Sequence, residues 1–213
     1  MTDGYLLNTR GVGTHQVIAR WVRPGSRVLD VGCASGYLMK VMSTTGGCTC
    51  VGIESGPAAT AAREEGFEVI HGFAPEAFDA ARSSGPFDHV VFADVLEHTT
   101  DPGPVLQAAA DLLTPDGTVI VSLPNIAYLL ARLRLLSGRW TYEEHGIFDR
   151  THLRFFTVAT ARELLEGAGV RLRRTAYIGP LTYRMGDRGL ALTRIRPQIL
   201  ASQVVLEGSF SGT

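Results

Sequence analysis

Residues 27–38 of this chain read RVLDVGCASGYL, and this stretch decides the fold. Its apolar residues at positions 28, 29 and 31 form a short run typical of a buried strand, and a helical pattern begins at Tyr37. Between strand and helix lie Gly32 and Gly36, which tolerate positive φ angles and let a ligand approach the backbone. Because the first N–H groups of a helix have no partner inside it, the turn predicts a site for a small polar ligand.

A second strand ends in an acid at the same edge of the predicted sheet. Residues 50–54 read CVGIE, an apolar run closed by Glu54. An acid at the end of the second strand is placed to accept hydrogen bonds from both ribose hydroxyls of an adenosine cofactor. We therefore predict that Glu54 binds a ribose.

The spacing of the glycines separates two cofactor families. A dinucleotide site has the pattern G-x-G-x-x-G, which holds a pyrophosphate and would indicate a dehydrogenase. The pattern here is D-x-G-x-A-x-G, from Asp30 to Gly36, and it resembles the nucleotide-binding loop of class I S-adenosylmethionine-dependent methyltransferases. Ala34 replaces the middle glycine and leaves slightly less room for the cofactor.

A second motif carries the same resemblance. Residues 87–98 read FDHVVFADVLEH, similar to the fourth strand and following loop of these enzymes. Ligands of open α/β sheets bind at the carboxyl ends of strands. The resemblance implies that S-adenosylmethionine, with S-adenosylhomocysteine as the product, contacts Asp30, Gly32, Cys33, Ala34, Gly36, Glu54, Ser55, Gly72, Phe73, Asp94 and Val95.

Adenine recognition departs from the common pattern. Related enzymes often carry an acid after the third strand, but no acid stands at residues 72–74. We expect backbone groups of Phe73 and Ala74, or the side chain of Glu76, to bind the adenine.

The segment before the first strand predicts a helix over 14–22, with Thr14 as its N-cap. In the methyltransferases the leading segment often covers the cofactor. The resemblance therefore implies that Tyr5, Arg10 and His15 lie near the cofactor loop.

Strands and helices alternate along the whole chain, which predicts a Rossmann-like, doubly wound α/β fold. We expect one domain over 1–213, with helices on both faces of a mostly parallel seven-stranded sheet. The predicted strands are 28–31, 50–54, 67–71, 87–93, 119–123, 170–178 and 201–206, the last two antiparallel. The predicted helices are 14–22, 37–42, 57–65, 75–82, 103–113, 126–137 and 157–166, and a long irregular connection follows residue 178.

Residues 126–156 form an insert after the fifth strand. Four leucines share one face of its predicted helix, and no acid occurs between Asp116 and Glu143. Two interpretations stay open. The helix either packs on the body of the domain with solvated arginines, or it forms a lid that closes on the substrate and excludes water.

Histidines are the candidate catalytic bases. Methyl transfer needs alignment of donor and acceptor, and a hydroxyl acceptor must also lose its proton to a group with a pKa near the working pH. We expect His152 to be this base, with His98 second and His145 third, while Asp94 orients the acceptor or the methionine amino group. Their alternative roles are structural, as loop-ordering hydrogen-bond partners. Residues 145–157 resemble a bacterial subgroup linked to polysaccharide, natural-product and 3-demethylubiquinone-type O-methylation.

The same residues allow a metal-assisted alternative. Asp94, Glu97, His98 and His152 resemble the metal set of the small-RNA 3′-terminal 2′-O-methyltransferases, which carry Glu at the first position. Carboxylates with imidazoles suit Mg²⁺, Mn²⁺ or Fe²⁺. The leading hypothesis uses no metal. A third alternative is a non-catalytic partner protein that binds S-adenosylmethionine.

Composition limits the expected substrate class and cellular compartment. No apolar run is long enough to span a bilayer and no basic-then-apolar leader opens the chain, so we expect a cytoplasmic protein without a membrane partner. Three cysteines, an odd number, predict free thiols.

Residues 1–150 carry 17 acidic and 11 basic side chains, which disfavours a broad nucleic-acid surface. We expect O-methylation of a small hydroxylated molecule, a sugar or secondary metabolite, by a monomer or homodimer; N- and C-methylation stay open.

Overall fold

The computed structural model describes residues 11–210, which build one seven-stranded sheet of order β3-β2-β1-β4-β5-β7-β6. The strands are β1 Arg27–Val31, β2 Thr49–Glu54, β3 Glu68–His71, β4 Phe87–Ala93, β5 Leu113–Pro124, β6 Val170–Ile178 and β7 Gln203–Phe210. Strands β1 to β5 pair in parallel, and β7 runs antiparallel to both β5 and β6. The predicted fold class, including the antiparallel final pair, is confirmed.

Helices cover both faces of the sheet. They are α1 Thr14–Trp21, α2 Tyr37–Gly46, α3 Ala59–Glu64, α4 Phe78–Arg82, α5 Pro102–Ala108, α6 Leu129–Leu136, α7 Val158–Gly167, α8 Pro180–Met185, α9 Asp187–Thr193 and α10 Pro197–Leu200. Among residues 11–210, none of them has both the length and the apolar character that a bilayer crossing requires.

Alternating side chains along the strands supply two hydrophobic cores. Leu29 of β1 points into the core under α4, α5 and α7, whereas its neighbour Val28 points into the core under α1 and α2. In the same way Val121 and Ile120 of β5 serve opposite faces. Because both faces are buried, the central strands read as continuous apolar runs, which is why the sequence located them.

Several element boundaries differ from the sequence-based expectation. The predicted helix 103–113 is α5 followed by a 3₁₀ turn at Ala109–Leu112. Strand β5 starts early and bulges at 114–117, since Phe87 pairs with Leu113 while His89 pairs with Thr118. The irregular connection after residue 178 instead contains three short helices, α8 to α10.

Thr14 does not cap α1. The N-cap is Gly13, whose N–H donates to Gln16 Oε1 at 3.0 Å, and Thr14 is the first helical residue. Its hydroxyl turns instead toward Gln203 at the start of β7. Thr157 does cap α7, because its Oγ1 accepts the N–H of Thr160 at 3.1 Å.

The insert at 126–156 is closed at its base. Asn125 and Phe156 form a parallel bridge, and the N–H of Ile126 donates to the Phe156 carbonyl at 2.8 Å. Its helix α6 buries only Ala131, whereas the four leucines of its predicted apolar face are exposed. Those four are Leu129, Leu130, Leu133 and Leu136. Packing of this leucine face on the body of the domain was therefore the wrong interpretation, and the lid stays a prediction.

Asp30 is the buried acid of β1. Only 2% of the residue is exposed, because strands pair with β1 on both sides and cores cover it above and below. Burial first, and the Glu54 carboxylate second, raise the pKa of Asp30 to about 7. Near neutral pH this carboxyl is therefore partly protonated.

Replacing Asp30 by asparagine should stabilise the protein in a pH-dependent way. Because the folded chain disfavours the ionised acid, the parent loses free energy of unfolding as the pH rises from about 4 to about 7. The difference D30N minus parent should grow over that window, by as much as about 4 kcal/mol for a shift of this size. Urea unfolding of both proteins at about pH 4 and about pH 8 measures it, and comparison at equal pH cancels other titrations. A difference independent of pH would contradict the assigned pKa.

Candidate active site

The turn after β1 holds three residues in the left-handed region. The φ angles are +72° at Gly32, +46° at Ala34 and +79° at Gly36. A Cβ on Gly32 would lie 2.7 Å from Val95 Cγ2, so a side chain at this position would clash. Glycine avoids the clash and leaves the backbone accessible to a ligand. Ala34 adopts a conformation that costs a non-glycine residue about 1 kcal/mol. The turn thus stores strain where the sequence predicted the closest approach of the cofactor.

Glu54 ties the β1 turn to the β2 loop. Its Oε2 accepts the N–H of Ala34 at 3.0 Å, and its Oε1 accepts the N–H of Gly56 at 2.6 Å. These bonds fix the carboxylate at the carboxyl edge of the sheet. Each oxygen can accept a further hydrogen bond, so the side chain is held in place and can still bind a ligand.

A cleft of about 300 Å³ opens along this edge. Its lining residues are Val31, Gly32, Ile53, Glu54, Ser55, Gly72, Phe73, Ala74, Asp94, Val95 and His98. The strand order β3-β2-β1-β4 sets the order along the cleft, with Phe73 after β3, Glu54 ending β2, Gly32 after β1 and Asp94 after β4. Seven of the predicted cofactor residues therefore share one cavity.

The other predicted cofactor residues do not line this cleft. Asp30 and Cys33 are buried, and burial first, with Asp30 and Glu54 next, raises the pKa of the Cys33 thiol to about 12. Cys33 therefore packs as a neutral side chain. Gly36 is the N-cap of α2 and borders a neighbouring depression of about 340 Å³.

The leading segment is described only from residue 11 onward. The His15 ring of α1 lies 5.6 Å from the ring of Tyr37, at the start of α2, so it is beside the cofactor loop. Burial lowers the pKa of His15, and the Asp94 carboxylate opposes this effect. Tyr5 and Arg10 lie outside the described residues.

Asp94 is held by two residues that the sequence did not indicate. Its own backbone is left-handed, with φ +56°. Ser122 Oγ accepts the Asp94 N–H at 3.0 Å and donates to Asp94 Oδ1 at 2.8 Å, while Gln203 Nε2 donates to Oδ2 at 2.8 Å. Both oxygens accept hydrogen bonds, so the position of the carboxylate is fixed. Neither partner has a local sequence signal, because β5 and β7 bring them from distant positions.

Beyond Asp94, a 3₁₀ turn at Leu96–His98 meets the end of the insert. The N–H groups of Leu153 and Arg154 donate to the Glu97 carbonyl at 2.8 and 3.0 Å. Glu97 is 1% exposed, and neither of its carboxylate oxygens has a hydrogen-bond partner. Burial first, then Asp94, raises the pKa of Glu97 well above its ordinary value. An orphaned buried carboxyl of this kind is rare and calls for a partner.

Two imidazoles lie against this acid. Glu97, His98 and His152 each offer one ligand atom, and these atoms all lie within 4.8 Å of one another. His152 Nε2 is 3.9 Å from Glu97 Oε1, too far for a hydrogen bond, and the two rings meet edge to face with centroids 4.8 Å apart. We call Glu97, His98 and His152 the acid-imidazole cluster. Asp94, engaged by Ser122 and Gln203, is not part of it.

The tautomer of His98 follows from its neighbours. Its Nδ1 lies 3.2 Å from the Thr151 carbonyl and 3.1 Å from Thr151 Oγ1. The carbonyl can only accept, and the hydroxyl hydrogen of Thr151 is donated to Asp149 Oδ1 at 2.6 Å. We therefore assign the ring proton to Nδ1, which leaves the Nε2 lone pair of His98 available.

His152 is the more enclosed of the two imidazoles. Its side chain is 5% exposed, whereas His98 is exposed and lines the cleft. Burial, followed by the neighbouring His98, lowers the pKa of His152, although Asp149 and the backbone of Ile147 oppose the shift. His152 is therefore a neutral ring behind His98. His145, the third predicted base, is exposed on the insert.

An aromatic cluster on the insert borders these imidazoles. Trp140 contacts Tyr142, Phe148 and Phe155 edge to face, with centroids 6.3, 5.1 and 5.1 Å away. Phe155 lies 6.1 Å from the His152 ring. Trp140 and Tyr142 are exposed, so the insert presents partly open aromatic rings beside the acid-imidazole cluster.

Comparison with known proteins places the chain in a family. Residues 13–175 match the model of a methyltransferase domain. The chain is 36% identical over 125 residues to a ubiquinone biosynthesis O-methyltransferase of Caulobacter sp. strain K31, covering 52% of this chain and 48% of that protein. It thus spans about half the length of this relative. A relative of the same name from Aeromonas salmonicida strain A449 is 29% identical over 186 residues, covering 82% and 78%.

Solved structures show the same fold. A S-adenosylmethionine-dependent methyltransferase from Thermotoga maritima superposes with a TM-score of 0.61 at 18% identity, covering 92% of this chain and 87% of that one. The bare Gly32 backbone, the fixed Glu54 carboxylate and the order of groups along the cleft fit the cofactor of that family, S-adenosylmethionine. The chain belongs to the class I S-adenosylmethionine-dependent methyltransferases.

Proposed function

We propose that the protein transfers a methyl group to a hydroxyl of a small hydroxylated acceptor, such as a sugar or a secondary metabolite. The observation that carries the proposal is the position of His98, which lines the cofactor cleft and keeps its Nε2 lone pair available because the ring proton is on Nδ1. Two relatives named as O-methyltransferases support a hydroxyl acceptor. The acidic balance of residues 1–150 supports a small molecule over a nucleic acid.

The order of groups along the cleft supports a binding position for each part of the cofactor. Phe73, 72% exposed at the β3 end, would cover the adenine, and Glu54 would accept the ribose hydroxyls. The methionine portion would lie against the backbone at Gly32 and extend toward Asp94. When bound, S-adenosylmethionine supplies an electrophilic methyl group on its sulfonium. The chain contributes alignment of the acceptor hydroxyl with that methyl.

His98 is the proposed base, with His152 in support. The Nε2 lone pair of His98 would take the acceptor proton, and the hydrogen bond from Nδ1 to the Thr151 carbonyl would stabilise the resulting imidazolium. His152, first in the sequence-based ranking, is too enclosed to meet the acceptor directly. It would hold the His98 ring from the side through the edge-to-face contact.

A metal-assisted reaction is the second candidate, and the orphaned oxygens of Glu97 favour it. The acid-imidazole cluster would hold a divalent ion through one carboxylate oxygen and two ring nitrogens, a donor set suited to Fe²⁺ or Mn²⁺. Such an ion lowers the pKa of a bound hydroxyl. Glu97 would then be ionised and paired. This candidate concerns the mechanism and does not require an RNA acceptor.

Cofactor binding tests the first part of the proposal. Isothermal titration should show one S-adenosylhomocysteine bound per chain. The variant E54A should bind about ten-fold more weakly or worse, because hydrogen bonds to a charged group are lost. E163A removes an exposed glutamate of α7 and serves as the matched control with unchanged affinity. Equal affinities of E54A and the parent would refute the assignment of Glu54.

The two mechanisms predict different responses of the acid-imidazole cluster. Methyl uptake from labelled S-adenosylmethionine is measured on a panel of hydroxylated glycosides and phenols. With His98 as a general base, H98A should lower kcat about 100-fold or more at unchanged cofactor affinity, while E97Q and chelation have little effect. With a metal, chelation should abolish turnover, Mn²⁺ or Fe²⁺ should restore it, and E97Q should be inactive. Full rates in both H98A and H152A would contradict both mechanisms.

A further inference from the structure

Asp94 lines the cleft and has a strained backbone conformation. It follows β4 with a left-handed backbone that a non-glycine residue adopts only at a cost, so surrounding contacts must impose it. Ser122, fully buried on β5, grips both its N–H and Oδ1. The second oxygen, Oδ2, depends on the side chain of Gln203.

Gln203 is oriented from both sides. It is the first residue of β7, opposite Pro124 of β5 and Ile178 of β6, so it lies at the same edge of the sheet as the cleft. Its Nε2 donates to Asp94 Oδ2, and its Oε1 accepts the hydroxyl of Thr14. Because a carboxylate can only accept and the Thr14 hydroxyl donates, the amide has one orientation that satisfies both partners.

Thr14 completes a directional chain of hydrogen bonds. It is 6% exposed at the first position of α1, whose N-terminus is held by Gln16. Every donor between Thr14 and Asp94 points toward the carboxylate, and such aligned bonds polarise one another. Elements at opposite ends of the described chain, α1 and β7, thereby converge on one oxygen of the cleft.

We propose that Gln203 is a positioning residue that holds the Asp94 carboxylate in place at the cleft, where it binds the methionine ammonium group of the cofactor. Thr14 locks the amide of Gln203 in the orientation that serves Asp94. The inference rests on the proposed function of the cleft and extends it to two residues outside the lining. These hydrogen bonds also explain why Asp94 is not part of the acid-imidazole cluster.

The test measures cofactor affinity rather than turnover. Q203L keeps the side-chain bulk but removes both hydrogen bonds, and it should raise the Kd for S-adenosylmethionine about ten-fold. T14V should raise it less, and T14S should restore the parent value. The double variant T14V/Q203L should bind no worse than Q203L alone, because Thr14 acts through Gln203. Q107L, at an exposed glutamine of α5, is the control with parent affinity.

A merely structural role makes the opposite prediction. Gln203 would then change the melting temperature, while the Kd measured far below it stayed at the parent value, and that result overturns the proposal. Additive effects of T14V and Q203L on the Kd overturn it as well. A parent protein that binds no S-adenosylmethionine would instead refute the proposed function, so the two failures are distinguishable.

Discussion

The carboxylate of Glu54 is the constraint on which the cofactor edge depends. By accepting N–H groups from Ala34 and Gly56, it joins the turn after β1 to the loop after β2. The left-handed backbone at Ala34 is tolerated because this bond satisfies its N–H group. The same carboxylate helps to raise the pKa of the buried Asp30. One acid therefore holds the turn, contributes to the raised pKa of Asp30 and lines the cleft with oxygens that can accept further hydrogen bonds.

The β4 end of the cleft is built on a different principle. There the chain assembles groups from the β4 end and from the insert, and it leaves the oxygens of Glu97 unsatisfied beside two imidazoles. Asp94, only three positions earlier, has both oxygens bonded. Satisfied and unsatisfied carboxyls thus lie side by side. This contrast separates a carboxylate fixed by its hydrogen bonds from a buried one whose oxygens have no hydrogen-bond partner among the described residues.

The sequence predicts those features that local patterns encode. The buried strands, the glycine turn and the strand-end acid Glu54 follow from apolar runs and spacing. Ser122 and Gln203 could not be found in this way, since only the sheet brings them to Asp94. The apolar stripe of α6 suggested packing on the body of the domain, and this interpretation failed for a related reason. A helical stripe shows that one face is apolar, but it does not show whether anything covers that face, and here Ala131 is the buried residue.

A crystal structure with S-adenosylhomocysteine tests the central claim most directly. We predict that the ribose hydroxyls lie within hydrogen-bond distance of Glu54, while its bonds to Ala34 and Gly56 persist. The adenine should lie at Phe73 and the amino acid portion between Gly32 and Asp94. A ligand bound elsewhere, or a Glu54 side chain turned away from the ribose, would contradict the account.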